Sequence, residues 1–506
     1  MTVEDPLHAA SSWRRMHPAT PFVRAWAALL VGVGIFLDSV IGGPGYVPDV
    51  GEDLRALDRI GIVLLIAVLV IVANVLSWAT TSYRIEGEAV QLRSGLLSRS
   101  MRQARLDRVQ AVDVVQPLVG RLVGLSELRI EVAGGDRSDV RLAYLRDGEA
   151  HRLRNALLAA AAGVRYSTAE APEAPESPVL QVPVGRLVAS IGLSAGGVSA
   201  LLILAIVGAT VVTGRVAVLA GVLPVFLGAG GYLFSQFTQG FNFRVAISPD
   251  GLRVRAGLIE TRAGTIPPGR VQAVQLTQSL VWRRWGWWRV KVNIAGYGAA
   301  GEASGRTMLL PVGTATDALW VLRLVVPEIG TDDPIPLLQA AMRGSGQHNG
   351  FVVSPRRARW LDPLSFQRNG YAVTATVLLA RSGVLTRTLV IVPHQRMQSI
   401  GLTQGPVQRA LRVATVGLHS TPGPIAPTVR HLEPAQAQRL VDEQAGRSRA
   451  ARAADRNHRW MEPVAGAVPE PTAPVEATAP VEATAPVEPT STPTDGVSSG
   501  DSPRRD

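Results

Sequence analysis

The chain has 506 residues, 47 % of them hydrophobic, which is enough apolar material for several cores and argues against one packed unit. It carries a formal net charge of +11, and Lys291 is the only lysine among its 51 lysine and arginine residues. Cysteine is absent, which excludes disulfide scaffolds, cysteine-ligated zinc, iron–sulfur clusters and thiol nucleophiles.

Four apolar segments, arranged in two pairs, predict membrane-spanning helices. The first runs from Phe22 to about Ile41, and the second runs from Ile60 to Trp78. The third, Leu187 to Val212, is separated by three residues from the fourth, Val216 to Phe234. A helix rises about 1.5 Å per residue, so segments of this length can cross a hydrocarbon layer of about 30 Å. We therefore predict two α-helical transmembrane hairpins, at residues 22–82 and 184–237.

The arginines beside these segments predict their orientation. Arg14, Arg15 and Arg24 precede the first span, and six arginines follow the second between Arg84 and Arg108. The loop between the two spans is instead rich in aspartate and glutamate. Because Lys and Arg are retained on the cytoplasmic side of a membrane, we expect a multi-pass protein of the cell membrane. Both termini and all large soluble segments are expected in the cytoplasm.

A sequence pattern recurs three times outside the apolar segments. In each copy a glycine lies 13 residues before an arginine, glutamines follow that arginine after two and eight residues, and a second arginine follows after 13. The first four positions are Gly95, Arg108, Gln110 and Gln116; Gly257, Arg270, Gln272 and Gln278; and Gly383, Arg396, Gln398 and Gln404. The second arginines are Arg121, Arg283 and Arg409. Agreement at so many positions indicates a repeated domain.

Each copy combines short stretches of alternating hydrophobicity with intervening glycine or proline, which predicts strands and turns. Each copy ends in a segment with helical apolar spacing: Asp147 to Ala161, Thr314 to Val325, and Glu433 to Arg447. We therefore predict three small β-rich modules, each a β-sandwich or barrel closed by a C-terminal helix. The repeated glycine, arginine and glutamines are interpreted as a structural motif; for the first arginine of each copy, binding of an anionic headgroup is the alternative.

This layout resembles the bacterial PH-like (membrane-flanked domain) family, found in YdbS/YdbT-like membrane proteins. The resemblance rests on an aromatic residue near the start of each copy (Tyr83, Phe243, Tyr371), the R-[SA]-G-[LV]-[LI] strand, the R-[VM]-Q core and the closing helix. It implies three PH-like modules, at 83–162, 238–329 and 357–447. The other predicted segments are an N-terminal cytoplasmic segment at 1–21, linkers at 163–183 and 330–356, and a tail at 448–506 that is first basic and then disordered and rich in Pro, Glu and Thr.

Two local features are candidates for binding. The cluster Trp282, Arg283, Arg284 and Trp285 suits a membrane–water interface and equally the core of a module, whereas stacking on nucleic-acid bases is not favoured. These four residues, with Arg121 and Arg409, are our candidate lipid- or partner-binding residues. In the third span, Gly192 and Gly196 predict a small-residue face for close helix packing, including self-association.

The sequence shows no constellation that would carry catalysis or hold a metal, because its eight histidines lack ligand spacing. We therefore predict a protein without enzyme activity or cofactor that presents three PH-like modules as a scaffold for protein partners or anionic lipid. The alternative is a small membrane transporter or membrane enzyme with regulatory PH-like modules, which would need polar groups within its spans.

Overall fold

The computed structural model describes residues 13–21, 61, 65, 68–86, 89–95, 100–105, 109–132, 140–161, 177–214, 216–248, 251–266, 269–295, 307–421 and 423–454. The predicted first span, Arg108 and the tail beyond Ala454 lie outside these residues.

Each module consists of a four-stranded half, a three-stranded half and a closing helix. The four-stranded halves contain β1 (Arg14–Arg15), β2 (Ser82–Glu86), β3 (Ala89–Ser94) and β4 (Ser100–Arg105) in module 1; β8 (Ser177–Gln181), β9 (Arg244–Ser248), β10 (Gly251–Ala256) and β11 (Glu260–Ile266) in module 2; and β15 (Val352–Val353), β16 (Gly370–Val373), β17 (Val377–Ser382) and β18 (Thr386–Pro393) in module 3. The three-stranded halves contain β5 (Val109–Pro117), β6 (Leu125–Val132) and β7 (Val140–Arg146); β12 (Val271–Ser279), β13 (Trp288–Ile294) and β14 (Met308–Gly313); and β19 (Ser399–Thr403), β20 (Ala414–His419) and β21 (Thr428–Leu432). The closing helices are Asp147–Ala161, Ala315–Val325 and Pro434–Ala454. The modules are therefore β-rich, as the sequence predicts.

The core of module 3 lies between its two halves and its closing helix. Leu378 and Val392 of the four-stranded half pack with Val416 and Leu432 of the three-stranded half and with Leu440 of the helix. All five side chains are buried, and burial of each such aliphatic side chain contributes about 1.5–3 kcal/mol. Modules 1 and 2 have equivalent cores.

The sheets continue across the module boundaries. Strand β5 of module 1 pairs antiparallel with β11 of module 2, and β12 of module 2 pairs antiparallel with β18 of module 3. We call these pairings the first and the second junction. Each junction joins a three-stranded half to the four-stranded half of the next module, which produces seven-stranded sheets in the orders β7-β6-β5-β11-β10-β9-β8 and β14-β13-β12-β18-β17-β16-β15.

The two junctions have the same register. Pro117 lies opposite Glu260 at the first junction, and the residues at equivalent repeat positions, Ser279 and Thr386, lie opposite each other at the second. A shift of one residue would turn every side chain of a strand to the other face of the sheet. The same pairing geometry therefore connects each module to the next.

Apolar helices precede modules 1 and 2. They are Val68–Ala79, Val184–Gly192, Ala195–Val212 and Val216–Gly240. Among the residues that the structure describes, only the 18-residue helix Ala195–Val212 is long and apolar enough to cross a membrane, with a mean hydropathy of 2.3. This helix packs against Val216–Gly240, and a Cβ atom at Gly196 would lie 2.8 Å from Cε1 of Tyr232.

The third predicted span is not one continuous helix. One helix ends at Gly192 and the next begins at Ala195, because Ser194 caps the second helix. Its Oγ accepts a hydrogen bond from the Gly197 amide at 3.1 Å and donates one to the Ile191 carbonyl at 2.7 Å. Gly192 and Gly196 therefore lie on different helices and do not form the shared helix face that we expected.

The segments predicted as linkers contain secondary structure. Strand β8 lies within 163–183 and pairs with β9; its Pro178 is tolerated because β8 is at the edge of its sheet. The segment 330–356 contains the helix Pro334–Arg343 and strand β15. The helix Pro334–Arg343 packs against β17 and β18 of module 3. Its Leu338 and Met342 are buried in an apolar cluster that joins one face of these two strands to the core of module 2. The last closing helix continues beyond residue 447 into the predicted tail.

Candidate interaction surfaces

The tryptophan–arginine cluster (Trp282 to Trp285) forms a 3-10 turn between β12 and β13. Trp282 points inward: its side chain is 4 % exposed, and its Nε1 donates a hydrogen bond to the Ser190 carbonyl at 3.1 Å. Ser190 belongs to the helix Val184–Gly192, which leads into the long apolar helix. Trp282 therefore anchors module 2 to the helix Val184–Gly192, at the start of the predicted second hairpin.

A second set of contacts attaches the same helix to module 2. Arg186 lies 3.5 Å from a carboxylate oxygen of Asp317, which is in the first turn of the closing helix. Leu187 is buried in the core of module 2 and fills the space beside Gly240. The helix Val184–Gly192 and module 2 thus form one packed unit.

The other aromatic residue of the cluster points outward. Trp285 is 49 % exposed and stacks on Trp287, with 5.6 Å between ring centroids and an angle of 26° between the rings. Arg284 beside it is exposed as well. The cluster therefore divides into an inward anchor, Trp282, and an outward pair, Arg284 and Trp285.

The second repeated arginine reaches across a junction wherever a following module is present. Arg121 donates a hydrogen bond to the Thr261 hydroxyl at the first junction, and Arg283 reaches the Leu385 carbonyl at 3.5 Å at the second. Burial and the nearby Arg387 guanidinium lower the pKa of Arg283. Arg409, the equivalent residue in module 3, is exposed and makes no side-chain hydrogen bond within the described part of the chain.

The repeated glycine has a positive φ in all three modules: 116° at Gly95, 122° at Gly257 and 73° at Gly383. At Gly257 and Gly383 a Cβ atom would collide with a backbone carbonyl three residues further along the chain. The position therefore requires glycine both for its backbone conformation and for the close approach of the next strand.

In modules 2 and 3, the last repeated glutamine forms a hydrogen bond across the connection between the first two strands of the three-stranded half. Gln278 donates from Nε2 to the Trp287 carbonyl at 3.1 Å, and Gln404 donates to the Val413 carbonyl at 3.0 Å. Both bonds span nine residues, so modules 2 and 3 use the same contact. In module 1, Gln116 instead donates to the Asp147 carboxylate at 3.5 Å.

The remaining repeated residues lie at the starts of the three-stranded halves. Gln272 is buried and donates to the Arg270 carbonyl at 3.4 Å, whereas Gln398 is exposed. The side chain of Gln110 lies outside the described residues. Arg270 and Arg396 are partly buried, and Arg396 approaches Gly269 of module 2 from module 3.

Two buried arginines, Arg368 and Arg381, attach the helix Pro334–Arg343 to module 3, a role that the sequence did not predict. Arg381, the first residue of the R-[SA]-G strand, lies with its guanidinium 4.0 Å from the centre of the Phe351 ring and donates to the Ala340 carbonyl at 3.0 Å. Arg368 donates to the Met342 carbonyl at 2.7 Å. These carbonyls are at the C-terminus of Pro334–Arg343, where positive charge is stabilised by the helix dipole. Burial, reinforced by neighbouring guanidiniums, lowers the pKa of Arg368 to about 9, and burial lowers that of Arg381 to about 10.

The described residues contain no group of three or more histidine and acidic side chains that could hold a metal ion. A cavity of about 270 Å³ lies at the first junction, where Asp113 of β5 faces Gly264 and Thr265 of β11. Most of its lining comes from module 2, so the cavity belongs to the packing of the two modules.

Comparison with known proteins agrees with this architecture. Three segments of the chain, residues 29–161, 194–323 and 337–448, match the family described as Bacterial PH domain. The chain is also 23 % identical over 405 residues to the UPF0699 transmembrane protein YdbT of Bacillus subtilis (strain 168), which covers 68 % of this chain and 80 % of that relative. No solved structure matches the chain.

The matched segments each contain one repeat and all or most of its closing helix, and together they cover well over half of the chain. The resemblance drawn from the repeated motif is thereby confirmed, and the similarity to a transmembrane protein agrees with the long apolar helix. The chain is a membrane-associated protein that belongs to the bacterial PH domain family, whose domain it contains three times.

Proposed function

We propose that this protein is a non-enzymatic, multi-pass membrane protein that holds three PH-like modules at the cytoplasmic face of the membrane as a scaffold for protein partners. The observation that carries this proposal is the continuity of the sheets through both junctions. Separate modules on flexible linkers would reorient independently, whereas paired strands hold successive modules in one geometry. Trp282 and Arg186 fix that assembly to the membrane-proximal helix.

The cross-junction contacts support a rigid assembly. At the first junction, Arg129 forms an ion pair with Glu260 at 3.4 Å, and Arg154 bonds to the Thr265 hydroxyl. At the second, the Asn293 side chain, which is fully buried, exchanges hydrogen bonds with the backbone of Ile425. Buried polar contacts of this kind favour one specific arrangement of the modules.

The proposed topology is tested by cysteine labelling, which the cysteine-free chain makes possible. Thr213 lies between the helices Ala195–Val212 and Val216–Gly240 and is exposed. In intact cells, we expect a membrane-impermeant maleimide to label Thr213→Cys. The exposed Leu364 of module 3 should be labelled as Leu364→Cys only after the cells are permeabilised. The reverse pattern would overturn the proposed orientation.

The scaffold role is tested by crosslinking in the native membrane. A photoreactive residue at position 285 samples the outward pair, and one at position 360 provides a matched control, because Trp360 is exposed and has Arg359 over its ring at 5.4 Å. We expect a recurrent protein partner at position 285 that is absent at position 360 and is lost on Arg284→Ala substitution. Identical products at both positions would contradict a specific partner surface.

Anionic lipid is the second candidate ligand. The exposed Arg284 and Trp285 support it, because the neighbouring Trp282 contacts the helix Val184–Gly192 at the start of the proposed hairpin. The emission maximum of an environment-sensitive dye on Trp285→Cys should shift to shorter wavelength when the full chain is reconstituted in nanodiscs that contain phosphatidylserine instead of neutral lipid. The same dye on Trp360→Cys serves as the control. Equal spectra in both lipids at position 285 would remove lipid as a ligand of this surface.

A further inference from the structure

In the part of the chain that the structure describes, two strands, β4 and β19, have no neighbouring strand on one side, although the equivalent strands of the other modules are paired on that side. Strand β4 ends the first sheet, β1-β2-β3-β4, and β19 ends the last sheet, β19-β20-β21. The strands equivalent to β4 are β11 and β18, and those equivalent to β19 are β5 and β12; all four are paired at the junctions. Among the described residues, β4 and β19 thus correspond to the two strands of a junction, but they are not paired with each other within one chain.

The unpaired edges expose apolar side chains that are buried at the closed junctions. Leu402 of β19 is 40 % exposed, but the equivalent residues are 3 % exposed at Val114 and fully buried at Leu276. Met101 of β4 is 60 % exposed, whereas its equivalents are partly buried at Ala263 and fully buried at Leu389. Pairing of β4 with β19 would therefore remove from water the same positions that the two closed junctions bury.

The register of such a pairing follows from the closed junctions. At the second junction Leu276 lies directly opposite Leu389, and Thr277 lies opposite Thr388. The equivalent positions on the free edges place Met101 opposite Leu402 and Ser100 opposite Thr403. Basic residues do not prevent this pairing, because β11 contains Arg262 and β18 contains Arg387, and both strands are paired.

We infer that the protein associates with itself head to tail: β19 of one copy pairs antiparallel with β4 of a second copy and completes a third seven-stranded sheet. A second copy is the occupant because each free edge is the complement of the other in the geometry that the chain uses twice internally. Arg409 then reaches the following module as Arg121 and Arg283 do. The contact joins two different surfaces, so repetition produces a ring or a row of molecules in the membrane plane.

The inference is tested with single-cysteine variants of the full-length protein. Two differently tagged copies are co-expressed, one carrying Met101→Cys or Ser100→Cys and the other carrying Leu402→Cys or Thr403→Cys, and the membranes are oxidised mildly. The matched pairs 101/402 and 100/403 should give an intermolecular disulfide. The mismatched pairs 101/403 and 100/402 use the same four cysteines, but their side chains point to opposite faces of the sheet. We expect roughly fivefold less product from them, because directly opposed Cβ atoms are about 4.5–5.5 Å apart.

A control within one chain shows that oxidation and folding are intact. Thr277→Cys and Thr388→Cys lie opposite each other at the second junction and should form an intramolecular disulfide in the same membranes. If that control forms and the matched pairs give no more product than the mismatched pairs, the inference is overturned. Crosslinking of either edge cysteine to a different protein, or of two β4 edges to each other, would overturn it as well.

Discussion

Asn293 and Ile425 exchange two hydrogen bonds across the boundary between modules 2 and 3. The Nδ2 atom of Asn293 donates to the Ile425 carbonyl at 2.7 Å, and the Ile425 amide donates to Oδ1 of Asn293 at 3.0 Å. Gly423 leaves room for this contact, because a Cβ atom there would overlap the Asn293 amide. The amide side chain thus imitates a backbone partner and fastens the loop before β21 to the preceding module.

The substitution Asn293→Ala should loosen module 3 from module 2. It leaves the amide and carbonyl of Ile425 buried without their partners, at a cost of about 1–3 kcal/mol. Hydrogen exchange should show faster exchange of the β18 amides, and the melting temperature should fall. Gln438→Ala is the control, because Gln438 is on the exposed face of the last closing helix, where a change within about 0.5 kcal/mol is expected. Equal protection of β18 in both variants would contradict the role of Asn293.

The two tryptophans of the cluster should respond differently to the same substitution. Trp282→Phe keeps an aromatic ring in the core but removes the hydrogen bond to Ser190, so a loss of about 1 kcal/mol or more is expected. Trp285→Phe retains stacking on Trp287 at an exposed position and should change stability by about 0.5 kcal/mol or less. Thermal unfolding in detergent measures both. A larger loss for Trp285→Phe would show that the anchor is misassigned.

Alanine at two glycines should have effects of opposite sign. Gly383 has a φ of 73°, and its absent Cβ leaves room for the Thr386 carbonyl, so Gly383→Ala should cost at least about 1–2 kcal/mol. Gly446 is inside the helix Pro434–Ala454, and a Cβ atom there meets nothing within 4 Å. Gly446→Ala should therefore stabilise by about 0.5–1 kcal/mol. Denaturant titration of the two variants against the parent protein tests the prediction; the same sign for both would contradict it.

The repeated motif and the closing helices could be predicted from the sequence because their signals are local. The three equivalent glycines, for example, precede the same turn in each module. The shared sheets could not be predicted, because β12 has the same alternation whether its outer neighbour is β18 or solvent. Only the structure shows the coverage of both faces: residues Val271 to Val274 of β12 are buried without interruption, although the polar Gln272 lies among them.

The candidate site was predicted in part. Aromatic and basic composition located the tryptophan–arginine cluster, but composition alone left the membrane interface and the module core as equal alternatives. In the structure Trp282 lies in the core and Trp285 is exposed on the surface of module 2; a role of Trp285 at the membrane interface stays a prediction. The inward position of Trp282 depends on a residue distant in sequence, because its hydrogen-bond partner Ser190 lies on the helix before the long apolar helix.

Acidic pH should destabilise module 3 through His394. This side chain is buried; its Nε2 lies 3.0 Å from the Thr374 carbonyl and its Nδ1 lies 2.6 Å from Nε2 of Gln444, which fits a neutral ring that donates from Nε2. Burial lowers the pKa of His394 below its ordinary value of 6.5, the bond to Thr374 opposes that shift, and Arg447 adds to it. The unfolded chain therefore binds the proton more readily, so stability is complete above about pH 6.5 and is lost as the pH falls below it.

The measurement is the melting temperature of the full protein between pH 7.5 and 5.5. His394→Gln should lower the melting temperature at every pH, because contacts are lost, but should reduce its dependence on pH. His431, whose pKa burial also lowers, should supply part of the dependence that remains. His348 is exposed, so the control His348→Gln should keep a melting temperature close to that of the parent protein. A pH dependence in His394→Gln as steep as that of the parent protein would show that protonation of His394 does not control the stability of module 3.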